Sequence, residues 1–184
     1  LVDNKLKALD YKIINPHNVR FLDYSHPDGR RTYIRSLCFV LQKVVREIFP
    51  DKVLAIDYSL PSGLYCEIRE TVPMEDGRPK IYFLTDEEIM RVEARMKEIV
   101  SADLPFTKRM IGAGEAEQLF AANHQSEKGQ LLRSLGRFNY NVYFLDGDAD
   151  TFYGPLAPST GCLRMFALMG FNDLGTEIRA GCCR

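Results

Sequence analysis

Arg30-Arg31-Thr32-Tyr33-Ile34-Arg35-Ser36-Leu37-Cys38-Phe39-Val40-Leu41-Gln42-Lys43-Val44-Val45-Arg46-Glu47-Ile48-Phe49-Pro50 carries the pattern from which the rest of the fold follows. Ile34, Leu37, Cys38, Leu41, Val44, Val45 and Ile48 recur at helical spacing, so a helix over 30–49 gathers them on one face for burial against a sheet. Pro50 has no N–H to offer the next turn and stops it. Arg35, Phe39, Gln42 and Arg46 share the opposite face, where Phe39 is the one large aromatic among polar neighbours.

Downstream, Val53-Leu54-Ala55-Ile56-Asp57-Tyr58 and Leu64-Tyr65-Cys66-Glu67-Ile68-Arg69 flank Pro61-Ser62-Gly63 and read as a hairpin-like pair. After a polar insertion over 74–80, Thr85 and Glu88 form a capping box, and Leu84 can staple onto Ile89 across it. The second long helix follows, with Ile89, Val92, Met96, Ile99 and Val100 as its buried stripe, and stops near Asp103 before Pro105. A short strand over 106–111, helices near 115–122 and 127–135, a strand over 139–145, a turn at Asp146-Gly147-Asp148 and a strand over 161–169 complete that side. Upstream, 7–14 and 19–24 read as two strands joined by Asn15-Pro16-His17-Asn18, too few for a core of their own. Strands and helices mix without regular βαβ alternation. The expected class is α+β, a largely antiparallel sheet packed by two long helices.

Composition narrows the function. Of 184 residues, 46% are hydrophobic and 27% charged, which suits a globular core under a solvated surface. A net charge of −1 argues against wholesale electrostatic binding of nucleic acid, leaving room only for a local basic patch. No apolar run approaches the roughly 20 residues of a membrane span, and Leu1-Val2-Asp3-Asn4-Lys5 opens no signal-like segment. The expectation is a cytoplasmic protein with no membrane partner. Cys38, Cys66, Cys162, Cys182 and Cys183 show no C-x-x-C spacing and fit reduced thiols.

The residues of a catalyst are hard to find. The dipeptide Gly-Lys is absent, so there is no P-loop, and Gly112-Ala113-Gly114 reads as a helix entry. His17, His26 and His124 have no second ligand at chelating spacing. Asp146, Asp148 and Asp150 resemble the start of a calcium loop but lack its Gly and its closing Glu, so they read as a polar turn. Ser159-Thr160 has no identifiable base. No catalytic residue, metal site or bound cofactor is expected in this chain, and it is not expected to be an enzyme by itself.

The helix beginning near Arg35, then Pro61-Ser62-Gly63-Leu64-Tyr65-Cys66-Glu67-Ile68, Thr85-Asp86-Glu87-Glu88-Ile89, Arg95-Met96-Lys97-Glu98-Ile99, Glu115-Ala116-Glu117-Gln118-Leu119-Phe120 and Tyr153-Gly154-Pro155-Leu156-Ala157-Pro158 together resemble the editing domain of threonyl-tRNA synthetases over 30–171. The resemblance implies a division into 1–28, the end of a TGS-like β module with its linker, and 29–184, a degenerate editing-like domain. It also implies H-x-x-x-H in the first helix and C-x-x-x-H in the later loop. Here Arg35, Phe39, Phe152 and Leu156 stand at those places, and none of them can hold a metal or accept a proton at neutral pH. They are the candidate remnant pocket, either lining a site for a small molecule or plugging a dead cleft.

Arg31-Thr32-Tyr33-Ile34-Arg35-Ser36-Leu37 and Tyr153 through Gly161 also resemble bacterial uridine kinase-like proteins. That resemblance implies a regulatory or ligand-binding module whose partner is a C-terminal P-loop kinase domain using ATP and Mg. The alternative expectation is a tRNA- or RNA-binding module, with Arg30, Arg31, Arg35, Lys43 and Arg46 as its basic face. A surviving aminoacyl-tRNA deacylase ranks behind both.

Overall fold

A computed structural model describes residues 1–180 apart from 61–62, 73, 76, 123–124 and 172–174. Pro61 and Ser62 of the expected turn, His124, Cys182 and Cys183 therefore lie outside the described residues. Two compact units are formed, Leu1–Arg35 with Leu104–Ser159, and Ser36–Asp103 with Thr160–Arg184. Helix α1 (Pro27–Ile48) contributes its first turns to one and the remainder to the other. It starts earlier than its apolar stripe because Pro27 suits a first helical turn and the His26 ring accepts from the Asp28 N–H at 3.2 Å.

In the first unit, β4 (Thr107–Gly112), β5 (Asn139–Leu145) and β6 (Asp148–Asp150) form an antiparallel sheet in that order. The β5–β6 turn is Asp146-Gly147, with φ of 44° and 85°, the two positive values that a tight hairpin of the right twist demands. Helices α3 (Ala113–Ala122) and α4 (Ser126–Ser134) cover one sheet face. There Ile111, Ala116, Phe120, Leu132, Tyr140, Val142 and Ala149 make the core. The helices cross closely at Gly129, where a Cβ would stand 3.3 Å from the Glu117 carbonyl. Lys108, Met110, Asn139 and Asn141 point from the other face and are exposed.

The strands expected over 7–14 and 19–24 are not formed. Residues 1–26 make only isolated bridges, Val2 to Lys5 and Val2 to Val19. Ile14 is 90% exposed and Phe21 83%, so the β-prone side chains bury no shared face that could sustain pairing. The segment is instead held to α1 by contact: a Cβ on Gly29 would lie 1.8 Å from the Asp23 carbonyl oxygen.

In the second unit, β1 (Lys52–Ser59), β2 (Leu64–Glu70), β8 (Gly175–Ala180) and β7 (Phe166–Phe171) lie in the order β1-β2-β8-β7, all antiparallel, with the short β3 (Ile81–Tyr82) also on β2. The strand expected over 161–169 is divided: Thr160–Cys162 is a 3-10 turn, and the strand begins at Phe166. Helix α2 (Asp86–Ser101) starts on the capping box as read, with Glu88 N–H donating to Thr85 Oγ1 at 3.2 Å and Thr85 N–H to Glu88 Oε2 at 2.9 Å. Its last turn is closed by the buried Thr160 hydroxyl, which donates to the Ile99 carbonyl at 2.7 Å. Leu41, Val45, Leu54, Cys66, Ile68, Leu84, Val92 and Leu168 surround a cavity of about 10 Å³, room for one water at most and too apolar to attract it. The class expected from the sequence, α+β with largely antiparallel pairing and two long helices, is the one found, with the strands divided between two sheets where one was expected.

Candidate functional site

The loop leaving β6 carries Phe152 and Leu156 and bonds to Arg35, three of the remnant-pocket residues. Asp150 ends β6 fully buried, ion-paired to Lys128 of α4, and accepts the Thr151 N–H at 2.5 Å. Phe152 then sets its ring against Tyr143 of β5, edge to face at 6.2 Å. Gly154, at φ 121°, turns the chain and donates its N–H to the Phe152 carbonyl at 3.1 Å. The Gly154 carbonyl accepts the Tyr143 hydroxyl at 3.1 Å. Beyond it, Leu156 is buried, and Phe106 N–H donates to the Pro158 carbonyl at 3.1 Å.

Arg35 completes the loop's support. Its Nη2 donates to the Pro155 carbonyl at 3.0 Å and to Thr32 Oγ1 at 3.1 Å, and its Nε reaches Pro155 again at 3.3 Å. Burial lowers the Arg35 pKa from its ordinary value without endangering the charge. Burial also raises the Tyr143 hydroxyl, against the Leu156 backbone bond and the Arg35 charge. The guanidinium here acts as a clamp on a backbone carbonyl. Tyr153, between Phe152 and Gly154, is left 88% exposed.

Arg35, Phe152 and Leu156 thus belong to one unit, with Arg35 bonded into the 152–156 loop. Phe39, four residues further along α1, belongs to the second unit and is fully buried. The basic face expected on α1 is largely engaged. Lys43 is buried and paired with Glu47 at 2.9 Å, Arg31 pairs with Asp28 at 2.6 Å, and Arg30 lies 5.8 Å from the Tyr24 ring centroid. Two of the five cations of that expected basic face are therefore structural, Lys43 because its i,i+4 partner neutralises it and Arg35 because a carbonyl claims it.

Other candidate groups are dispersed. Among the described residues, no three His, Cys, Asp or Glu side chains gather as a metal site. His17 contacts Asp3 at 2.5 Å, and His26 caps α1. Cys38 and Cys66 are buried in the second unit, while Cys162 is exposed. Asp146 and Asp148 serve the hairpin. Two residues that the sequence did not single out matter more: Lys128, paired with Asp150, and Lys108, whose Nζ lies 5.9 Å from the Tyr143 ring centroid. Alternation along β4 could have placed Lys108 on the face away from α3 and α4, but only the β4–β5 register sets it opposite Tyr143.

Comparison with known proteins adds an independent finding. No family model matches the chain. It is 26% identical over 168 residues to the threonine–tRNA ligase of Pelobacter propionicus, covering 91% of this chain and 25% of that protein. The threonine–tRNA ligase of Desulforamulus reducens is 27% identical over 91% of this chain, and that of Burkholderia multivorans 28% over 78%. The chain spans about a quarter of the length of the curated relatives it matches. It is similar to one region of threonine–tRNA ligases, and its antiparallel α+β fold accords with the editing-domain architecture that its motifs imply.

Proposed function

We propose that this chain is a synthetase-related RNA-binding module, with tRNA as its partner, that has lost the hydrolytic residues of an editing domain. The similarity to threonine–tRNA ligases along most of the chain carries the reading. Arg35, Phe152 and Leu156 support its second half: one is spent on the Pro155 carbonyl, one is set edge to face against Tyr143 and one is buried, and none is a base, nucleophile or metal ligand. Phe39 is the fourth member of the remnant set and, being fully buried, fits a plug better than a ligand contact.

The uridine kinase-like parent, with ATP and Mg in a following domain, stands behind this reading because the relatives named above are ligases of tRNA. A P-loop encoded in one chain with these residues would bring it forward.

Binding of unfractionated tRNA, followed by filter retention across a salt series, tests the proposal. The expected result is saturable binding that weakens steeply as salt rises, with no release of amino acid from aminoacyl-tRNA above a protein-free control. Absence of tRNA binding at low salt overturns the RNA reading. Deacylation by contaminant-free protein overturns the loss of catalysis.

A further inference from the structure

We propose that β1 is the docking edge for a second copy of this chain, the two β1 strands pairing antiparallel about Ala55 so that one sheet runs through both copies. The proposal is independent of the RNA-binding reading above.

The sheet of the second unit has β1 at one end and β7 at the other. The β7 end is closed by α2. There the Leu168 N–H donates to Glu93 Oε2 at 2.8 Å, and a Cβ on Gly170 would stand 3.6 Å from Ile89 Cδ1. The β1 end has a different construction. Glu70 donates its N–H to the Lys80 carbonyl at 2.9 Å, on the side of β2 that pairs with β3. Antiparallel alternation then turns Arg69 and Glu67 towards Val53 and Ala55, and turns the backbone groups of Lys52, Leu54 and Ile56 outward. The Phe49 carbonyl takes the Lys52 N–H at 3.0 Å. Among the described residues, nothing takes the outward N–H and C=O groups of Leu54 and Ile56. Val53 is 48% exposed, and Leu54, Ala55 and Ile56 are only half-buried. An edge of this kind is normally blocked by a charge, a proline or a bulge. Val53-Leu54-Ala55-Ile56 has neither charge nor proline, and the bulge comes only between Ile56 and Tyr58.

Such an edge accepts an extended strand, and the order of its groups selects a second β1. With Ala55 on a two-fold axis, Leu54 of each copy lies opposite Ile56 of the other and exchanges both backbone bonds with it, so every outward group of the two residues is used. Centring the pair on Leu54 would need the Lys52 N–H that Phe49 already holds, and centring it on Ile56 would run into the bulge. The two Ala55 residues then face each other at the closer antiparallel spacing, about 4.5 Å between Cα atoms, where two methyls bring neither charge nor bulk. Leu54, which lines the apolar cavity between the sheet and its helices, loses its remaining exposure in the same step. Antiparallel pairing also sets Lys52 of each copy at the Asp57 end of the other, opposite in sign, although each keeps its local partner, Asp51 and Arg69. A net charge of −1 gives two copies little reason to repel.

The test uses the full chain in a concentration series by sedimentation velocity. Wild type is expected to reach twice the mass of one chain as concentration rises. Ala55→Lys sets like charges directly opposite each other and should stay monomeric where wild type is associated, with an unchanged circular dichroism spectrum. A second arm places cysteine on the axis in a Cys162→Ser, Cys182→Ser and Cys183→Ser background under mild oxidation. Ala55→Cys should give a disulfide-linked dimer on a non-reducing gel, because about 4.5 Å lies within the range a disulfide spans. Val53→Cys, two residues off the axis, holds its mate beyond the roughly 7 Å limit and should not. A wild type that stays monomeric leaves the edge to a strand of some other chain and overturns the proposal. A dimer that survives Ala55→Lys, or links through Val53→Cys and not through Ala55→Cys, shows that the copies meet elsewhere and overturns it as well.

Discussion

Arg35 donates twice to the carbonyl oxygen of Pro155, a residue 120 positions further along the chain. Because the acceptor is backbone, the side chain at 155 does not matter to the bond and the guanidinium fork does. Arg35→Ala is expected to cost about 2 kcal/mol, the usual worth of hydrogen bonds to a charged group, and to expose the loop to cleavage after Tyr153. Arg35→Lys should recover only part, since an ammonium lacks the fork. Urea denaturation with limited proteolysis checks both. An unchanged midpoint and an uncut loop would mean that the clamp holds nothing.

Gly29 gives a second stability test. A helix interior gains about 1 kcal/mol when Gly becomes Ala, yet a Cβ here would lie 1.8 Å from the Asp23 carbonyl. That oxygen is backbone and cannot swing aside as a flexible side chain would. Gly29→Ala is therefore expected to release residues 1–26 from α1, seen as faster amide exchange in that segment. A simple gain in melting temperature with unchanged exchange would contradict the contact.

These cases show which parts of the fold the sequence makes legible. Local chemistry reads well: the Thr85–Glu88 box, the Asp146-Gly147 turn and the α1 stripe each need only a few neighbouring residues. Pairing across the chain does not. Strand β8 has Ile178 as its only large aliphatic residue and owes its place to β2 and β7 on either side, so no periodicity announces it. The stretches 7–14 and 19–24 fail in the opposite sense, with strong β composition and no face to bury. Phe39 and Phe152 could be chosen from motif positions alone. The bracing of the 152–156 loop could not, because two of its supports are carbonyls whose donors, Arg35 and Tyr143, stand 120 and 11 residues from their acceptors and are set there only by the fold.

Acid should weaken the start of α2. The Thr85 N–H, followed by the Tyr82 and Thr85 hydroxyls, holds the Glu88 carboxyl below its ordinary value of 4.5. Its contribution is full above pH 4.5 and is lost as pH falls through the lower folded value. Glu88→Gln should thus be less stable than wild type at neutral pH and show a flatter decline in acid. Thr85→Ala, which removes the cap at any pH, should cost about 1 kcal/mol. Parallel melting curves for wild type and Glu88→Gln from neutral to acid pH would contradict the linkage.

Alkali should act on the second unit through its thiols. Burial pushes Cys38 up from 9.0 to about 12, and burial, with Cys38 nearby, pushes Cys66 upward as well. The folded state keeps these protons while an unfolded thiol releases them. Stability is therefore fully present below pH 9.0 and is lost as pH climbs towards about 12. Cys38→Ala lowers stability at every pH by leaving a small void, but its alkaline decline should be shallower than that of wild type. Site-resolved alkylation of the native protein should modify Cys162 and spare Cys38 and Cys66.

Gly154 couples to Arg35 in a way that a double-mutant cycle can isolate. At φ 121° the backbone there suits glycine, and a Cβ would stand 3.0 Å from both Arg35 Cζ and Nη2. Gly154→Ala therefore carries two penalties of different origin. The conformational one, about 1–3 kcal/mol, belongs to residue 154 alone. The steric one exists only while the guanidinium occupies its place beneath the turn. In an Arg35→Ala background the second penalty disappears, so the double variant should lose less stability than the sum of the singles. The expected coupling is on the order of 1 kcal/mol, from urea denaturation of the four proteins. Additivity to within about 0.3 kcal/mol would show that Arg35 yields freely to an added methyl. A clamp that yields in that way could not hold the Pro155 carbonyl in a single place.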